Sequence, residues 1–269
     1  MRNPFPKIGK VIKYEFKHTS RIFLPIYAVI LLLGLILGLS INQDQINVIL
    51  ATGSSSVSLD GLQGLFVSLL VLTSFALSIV TLVMIENRFK KELISDEAYV
   101  NLSLPVTAGE HIWGRFIMSF GWLIFCNIVE LVSFLLCFIR LGIFKGLKEL
   151  FTDQSILEEF AAYNITWGKI IGIAIVMTIS VHILFITFVY AVNSLKHIIK
   201  NMKSIVEVFV IILLVTLYIN TFKIIPDFDI QTFEDFAKIF WTIIGINLVY
   251  SVINFAFTQF VFTKSINLE

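Results

Sequence analysis

Apolar positions gather into six long runs separated by short polar stretches: residues 22–41, 61–85, 116–139, 170–192, 205–222 and 239–262. A helix rises about 1.5 Å per residue, so about 20 residues cross a hydrocarbon core of about 30 Å. Each run is near or above that length. Backbone amides in lipid have no water to bond and must be satisfied within their own segment, as a helix does. The pattern predicts an all-α polytopic membrane protein with six transmembrane helices.

The polar stretches carry their own periodicity. Ahead of the first run, Phe5, Ile8, Val11, Ile12 and Phe16 recur at three- and four-residue steps, with Lys7, Lys10, Lys13 and Lys17 mainly between them. That is the pattern of a basic amphipathic helix lying in a membrane interface, here over residues 1–21. The first run starts late and is too long for a cleaved signal, so it is expected to remain as an anchor. Between the third and fourth runs, Phe144, Leu147, Leu150 and Phe151 alternate with Lys145, Lys148 and Glu149, which predicts a short surface helix. Leu157, Phe160 and Ala161 predict another. Pro226 breaks the segment between the last two runs.

Composition agrees with this reading. The chain has 269 residues, 57% hydrophobic and 14% charged, and its mean hydropathy is +0.90. A soluble domain of this size does not hide that much apolar surface, and the loops leave no room for a second soluble domain. One membrane domain, residues 1–269, is expected. The net charge of +1 is uninformative, whereas its distribution is not. Six spans put both termini on one side, together with 86–115 and 193–204, and that side holds 14 of the 20 lysines and arginines. The positive-inside rule makes it cytoplasmic in a multi-pass cell-membrane protein. The two cysteines, Cys126 and Cys137, share one run about 16 Å apart by helical rise and do not bridge within it.

The most specific stretch is 86–115. Ser95, Asp96 and Glu97 open a short helix, residues 98–104 give it an amphipathic turn with Tyr99 and Leu102, and Pro105 ends it. Thr107 with Glu110 three residues on is a capping box for the next helix. A plain connector would need only a few residues. The run Arg88-Phe-Lys-Lys-Glu-Leu-Ile-Ser-Asp-Glu-Ala-Tyr-Val-Asn-Leu-Ser-Leu-Pro-Val-Thr107 resembles the coupling region of bacterial type-2 ABC exporter permeases. It is similar to a branch reading Arg-Phe-Tyr-Lys-Asn-Leu, Asp-Glu-Gly-Tyr-Leu and Thr-Leu-Pro-Val-Thr, with Ala98 in place of Gly and Ser103 in place of Thr. The amphipathic start and six-run order extend the likeness over nearly the whole chain. The resemblance implies a separate cytoplasmic ATPase subunit that binds ATP and Mg, a second permease subunit (identical or related), and docking of the ATPase on Ser95, Asp96, Glu97, Tyr99 and Leu102. The chain has no Gly-x-x-x-x-Gly-Lys-Ser/Thr phosphate loop with which to hold ATP itself. Asp96 and Glu97 also suit a plainer role, capping a helix and favouring its dipole.

Polar groups inside the runs are the remaining candidates. Glu130 lies mid-run, where an ionised, lipid-facing carboxylate costs about 3 kcal/mol on insertion scales. Asn127 is one turn before it, and His182 in the fourth run is a possible partner. Asn247 and Asn254 share a face of the sixth run. These residues line a substrate path or act as hydrogen-bonded glue between helices. Enzyme motifs are thin: none of the four histidines forms a His-Glu-x-x-His pair, and no Gly-x-Ser-x-Gly elbow occurs. The sequence reading is thus a non-enzymatic permease subunit exporting a hydrophobic or amphipathic substrate. A membrane-embedded enzyme, or a sensor or structural subunit of a membrane complex, is the alternative.

Overall fold

The computed structural model describes residues 5–40, 61–93, 107–140, 143–198, 204–224 and 232–265. Among these the regular structure is entirely helical. The helices are α1 (Phe5–Ser40), α2 (Gly61–Leu93), α3 (Ala108–Cys137), α4 (Ile143–Thr152), α5 (Gln154–Ala162), α6 (Trp167–Ile198), α7 (Ser204–Thr221) and α8 (Phe233–Ser265), with a short 3₁₀ turn, Phe222–Ile224, after α7. Five of them are long and apolar enough to cross a membrane: α1, α2, α3, α6 and α8. In α2 the most apolar 18-residue window is only 17% buried, and Val71, Leu72 and Phe75 are each about two-thirds exposed. A continuous apolar face of that kind is incompatible with water and suits acyl chains. The protein is a helical, multi-pass membrane protein.

The amphipathic segment expected as a separate interfacial helix is the first half of α1. No break falls between residues 5 and 40, and the helix is 36 residues long, about 54 Å. Pro25 lies inside it and has no N–H to give to the Arg21 carbonyl.

The chain sorts into two compact units, one of residues 13–84 and 121–153, the other of residues 1–12, 85–120 and 154–269. In the first, α1 and α3 run parallel. Trp122 of α3 stacks on Phe16 and Phe23, with ring centroids 5.5 and 4.6 Å apart, and its Nε1–H donates to Thr19 Oγ1 at 2.8 Å. Further along, Ser133 Oγ donates to the Ile30 carbonyl at 3.0 Å. At the far end Gly34 and Gly38 lie directly on the α3 backbone: a Cβ on Gly34 would fall 2.7 Å from the Ser133 carbonyl oxygen, and one on Gly38 would overlap the Leu136 carbonyl. Small residues four apart let helix backbones approach closely in lipid, where apolar burial supplies no drive.

In the second unit, α6 and α8 also run parallel. Their first turns line one cavity, Gly168 to Val176 against Phe233 to Trp241, and Ser180 bonds Asn247 further along. At the other end the C-terminal turns of α2, α6 and α8 meet the N-terminal turns of α3. Phe89 stacks on Tyr190 at 4.0 Å and meets Phe262 edge-on at 5.5 Å, while Ser119 and Tyr190 hydroxyls share a 3.1 Å hydrogen bond. Trp113 packs on Phe255 at 4.6 Å, and Gly114 adjoins Val11 of α1.

The caps explain where helices start and stop. At α3 the Thr107 N–H donates to Glu110 Oε2 at 2.8 Å and the Glu110 N–H to Thr107 Oγ1 at 3.3 Å, the reciprocal capping box read from sequence. α5 ends in a Schellman motif: Asn164 takes φ 55°, and the Ile165 and Asn164 N–H groups donate to the Phe160 and Ala161 carbonyls. The two short surface helices expected between the third and fourth runs are α4 and α5.

Candidate functional site

Two polar centres lie within the apolar helices. In the first unit the centre is Glu130. Its Oε1 accepts from Ser78 Oγ of α2 at 3.3 Å and from the Cys126 thiol at 3.8 Å. Thr81, one turn past Ser78, reaches the same thiol. The α2 positions advance by three while the α3 positions retreat by four, so α2 and α3 are antiparallel and bring one hydroxyl to the acid and the next to its thiol neighbour. The half-buried carboxyl therefore sits against a hydroxyl and a thiol, which lowers the cost of its depth. Asn127, expected beside Glu130, uses its Nδ2 on the Leu123 carbonyl at 2.7 Å. His182 belongs to the other unit, where its Nδ1–H donates to the Thr178 carbonyl at 2.6 Å, one turn back on α6.

In the second unit the centre is Asn247, which is completely buried. Tyr218 of α7 donates its hydroxyl to Asn247 Oδ1 at 2.6 Å. Asn247 Nδ2 donates to Ser180 Oγ of α6 at 3.1 Å, and that hydroxyl donates to the Met177 carbonyl at 2.8 Å. One amide thus ties three helices in a chain of satisfied bonds. Thr221 and Tyr250 share a second link between α7 and α8 at 2.6 Å. Asn254 lies two turns after Asn247 and is half-buried, and its carbonyl accepts from the buried Thr258 hydroxyl at 2.9 Å. Of the sequence candidates, Asn247 is hydrogen-bonded between three helices, while Glu130 is bonded between α2 and α3.

The docking residues Ser95, Asp96, Glu97, Tyr99 and Leu102 lie outside the described residues. The two ends of their segment are described. α2 delivers it past Phe89, which belongs to the aromatic cluster with Tyr190 and Phe262, and α3 resumes at the Thr107 cap, where Gly109 adjoins Gln259 of α8.

Sequence reasoning missed several partners. Ser78, Thr81, Ser180 and Tyr218 are ordinary polar residues in apolar runs, and nothing local marks which acid or amide they meet. Gly34 and Gly38 were missed as well, although a Gly-x-x-x-Gly pair within an apolar run is a signal that marks a helix-packing face. No three His, Cys, Asp or Glu side chains cluster as a metal site among the described residues. No family model, curated protein or solved structure matches the chain.

Proposed function

We propose that the protein is the membrane-spanning permease subunit of an ATP-driven exporter, paired with a second permease subunit and driven by a separate cytoplasmic ATPase. In this reading residues 95–102 dock the ATPase, and Glu130 contacts a hydrophobic or amphipathic, cationic cargo. The observation that carries it is the gathering of helix ends. Val11, Phe89 and Gly114 come from base-rich segments, Tyr190 and Phe262 lie within a few residues of the other two, and all five pack at one end of the second unit. A helix docked between α2 and α3 would push on Phe89, and Phe89 bears directly on α6 and α8. That is a mechanical route from an external motor to three spans.

The same packing supports a sixth span. Because α6 and α8 are parallel, the chain leaving the end of α6 must return to the opposite end before α8 begins. α7, with 18 residues, is about 27 Å long and suits that return. Both termini then share the base-rich, cytoplasmic side.

The test is affinity purification of the tagged full chain from its native membranes. An ATP-hydrolysing partner should co-purify, and reversing both charges with Asp96→Lys and Glu97→Lys should remove it while the helical content stays unchanged. Purification without an ATPase, or pairing unaffected by the double substitution, refutes the docking assignment.

A further inference from the structure

Two Gly-x-x-x-Gly pairs lie in the long apolar helices α1 and α6, and the structure uses them oppositely. Gly34 and Gly38 are pressed against a neighbouring backbone, whereas Gly168 and Gly172 have nothing within 4 Å of where a Cβ would stand. The second pair borders a cavity of about 430 Å³ between the first turns of α6 and α8. Gly172, Ile173 and Val176 form one wall, and Ala237 and Trp241 the other. Two charges stand at its polar end, Lys169 and Glu234. Lys169 gives two N–H groups to Asn164, to its carbonyl at 2.8 Å and its Oδ1 at 3.3 Å, and retains a third.

From this we infer that the groove is a binding site for one bilayer phospholipid with a zwitterionic head, phosphatidylethanolamine. The groove opens at the ends of two spans whose most apolar windows are each only 17% buried, so acyl chains surround it. Deleting both Cβ atoms on α6 leaves a slot for a flexible chain instead of a seam for a helix. Trp241 suits the level where chain gives way to headgroup. One cation and one anion at the polar end match a phosphate and an ammonium; an anionic head would face Glu234, and a quaternary ammonium could not donate to it. The inference requires only that α6 and α8 span a bilayer and is independent of the exporter reading.

The test uses the full chain in vesicles containing phosphatidylethanolamine or phosphatidylglycerol, each with a photoactivatable diazirine in one acyl chain. The ethanolamine probe should label peptides covering 168–176 and 233–241 about tenfold more than the glycerol probe, a difference of about 1.4 kcal/mol. Gly172→Phe fills open space and should lower that labelling about tenfold without changing the melting temperature; Ala237→Phe serves if the first variant fails to accumulate. Glu234→Gln should erase the headgroup preference. Labelling no greater than that of the exposed Val71–Phe75 face of α2 means annular lipid only and overturns the site. Label displaced by a hydrophobic peptide, with no headgroup preference, assigns the groove to another occupant and overturns it as well.

Discussion

Gly38 is the position where the packing makes its sharpest demand. Replacing it with alanine adds a single methyl group, which would overlap the Leu136 carbonyl oxygen and stand 3.0 and 3.2 Å from the carbonyl carbons of Leu136 and Cys137. All three atoms are backbone, so no rotamer change relieves the contact. The α1 and α3 backbones must part. Overpacking of this kind costs about 1–3 kcal/mol. Separation also weakens the neighbouring Ser133–Ile30 hydrogen bond, worth about 0.6 kcal/mol in a bundle. Alanine returns about 1 kcal/mol of helix propensity, so the net loss is about 0.6–2.6 kcal/mol. Gly121 is the control: it lies on α3 with nothing within 4 Å, and Gly121→Ala should be neutral or stabilising by up to about 1 kcal/mol. Equilibrium unfolding in mixed detergent micelles, read by circular dichroism, separates the two. If Gly38→Ala is as stable as Gly121→Ala, the close approach of α1 and α3 is wrong.

Asn247→Leu removes both hydrogen bonds to α6 and α7 and leaves the Tyr218 hydroxyl without its acceptor. At about 0.6 kcal/mol per bond, and up to about 1.7, it should lower stability by about 1–3 kcal/mol, and Tyr218→Phe should cost less in the leucine background than alone; additive losses would show the link is not formed. On the exporter reading proposed above, Glu130→Gln, which keeps the shape and the bond from Ser78 while removing the charge, should lower export with expression and melting temperature near normal. Unchanged transport would make Glu130 a packing group, and failure to accumulate would make it glue.

Much of the fold was legible because bilayer thickness converts composition into length. The five long apolar helices follow the runs around 22–41, 61–85, 116–139, 170–192 and 239–262. The Thr107–Glu110 cap was legible for a different reason, since both partners lie within one turn. The boundary between an interfacial segment and the first span was not. Basic amphipathic periodicity describes a helix with two unlike faces, and it fits one lying on a membrane or one packed along a neighbour. Val11 against Gly114 and Thr19 against Trp122 show that α1 packs along a neighbour, and both partners lie about a hundred residues away in sequence.

The site was legible in kind and not in pairing. A carboxyl and an amide inside apolar runs must find polar partners, so Glu130 and Asn247 stand out at once. Their partners do not, because a serine or tyrosine tolerated anywhere in a span looks the same whether or not it is used. Glycine raises the same difficulty. Gly34 and Gly38 share their spacing with Gly168 and Gly172, yet one pair closes a seam and the other leaves a slot. Spacing states only that a close approach is permitted. Whether a helix or a lipid chain makes that approach depends on what the opposite wall offers. Opposite Gly38 it is the bare Leu136 carbonyl; opposite Gly172 it is open space, with Ala237 and Trp241 of α8 on the far wall. Substituting Gly38 should therefore unsettle the fold, and substituting Gly172 should change only what the fold can hold.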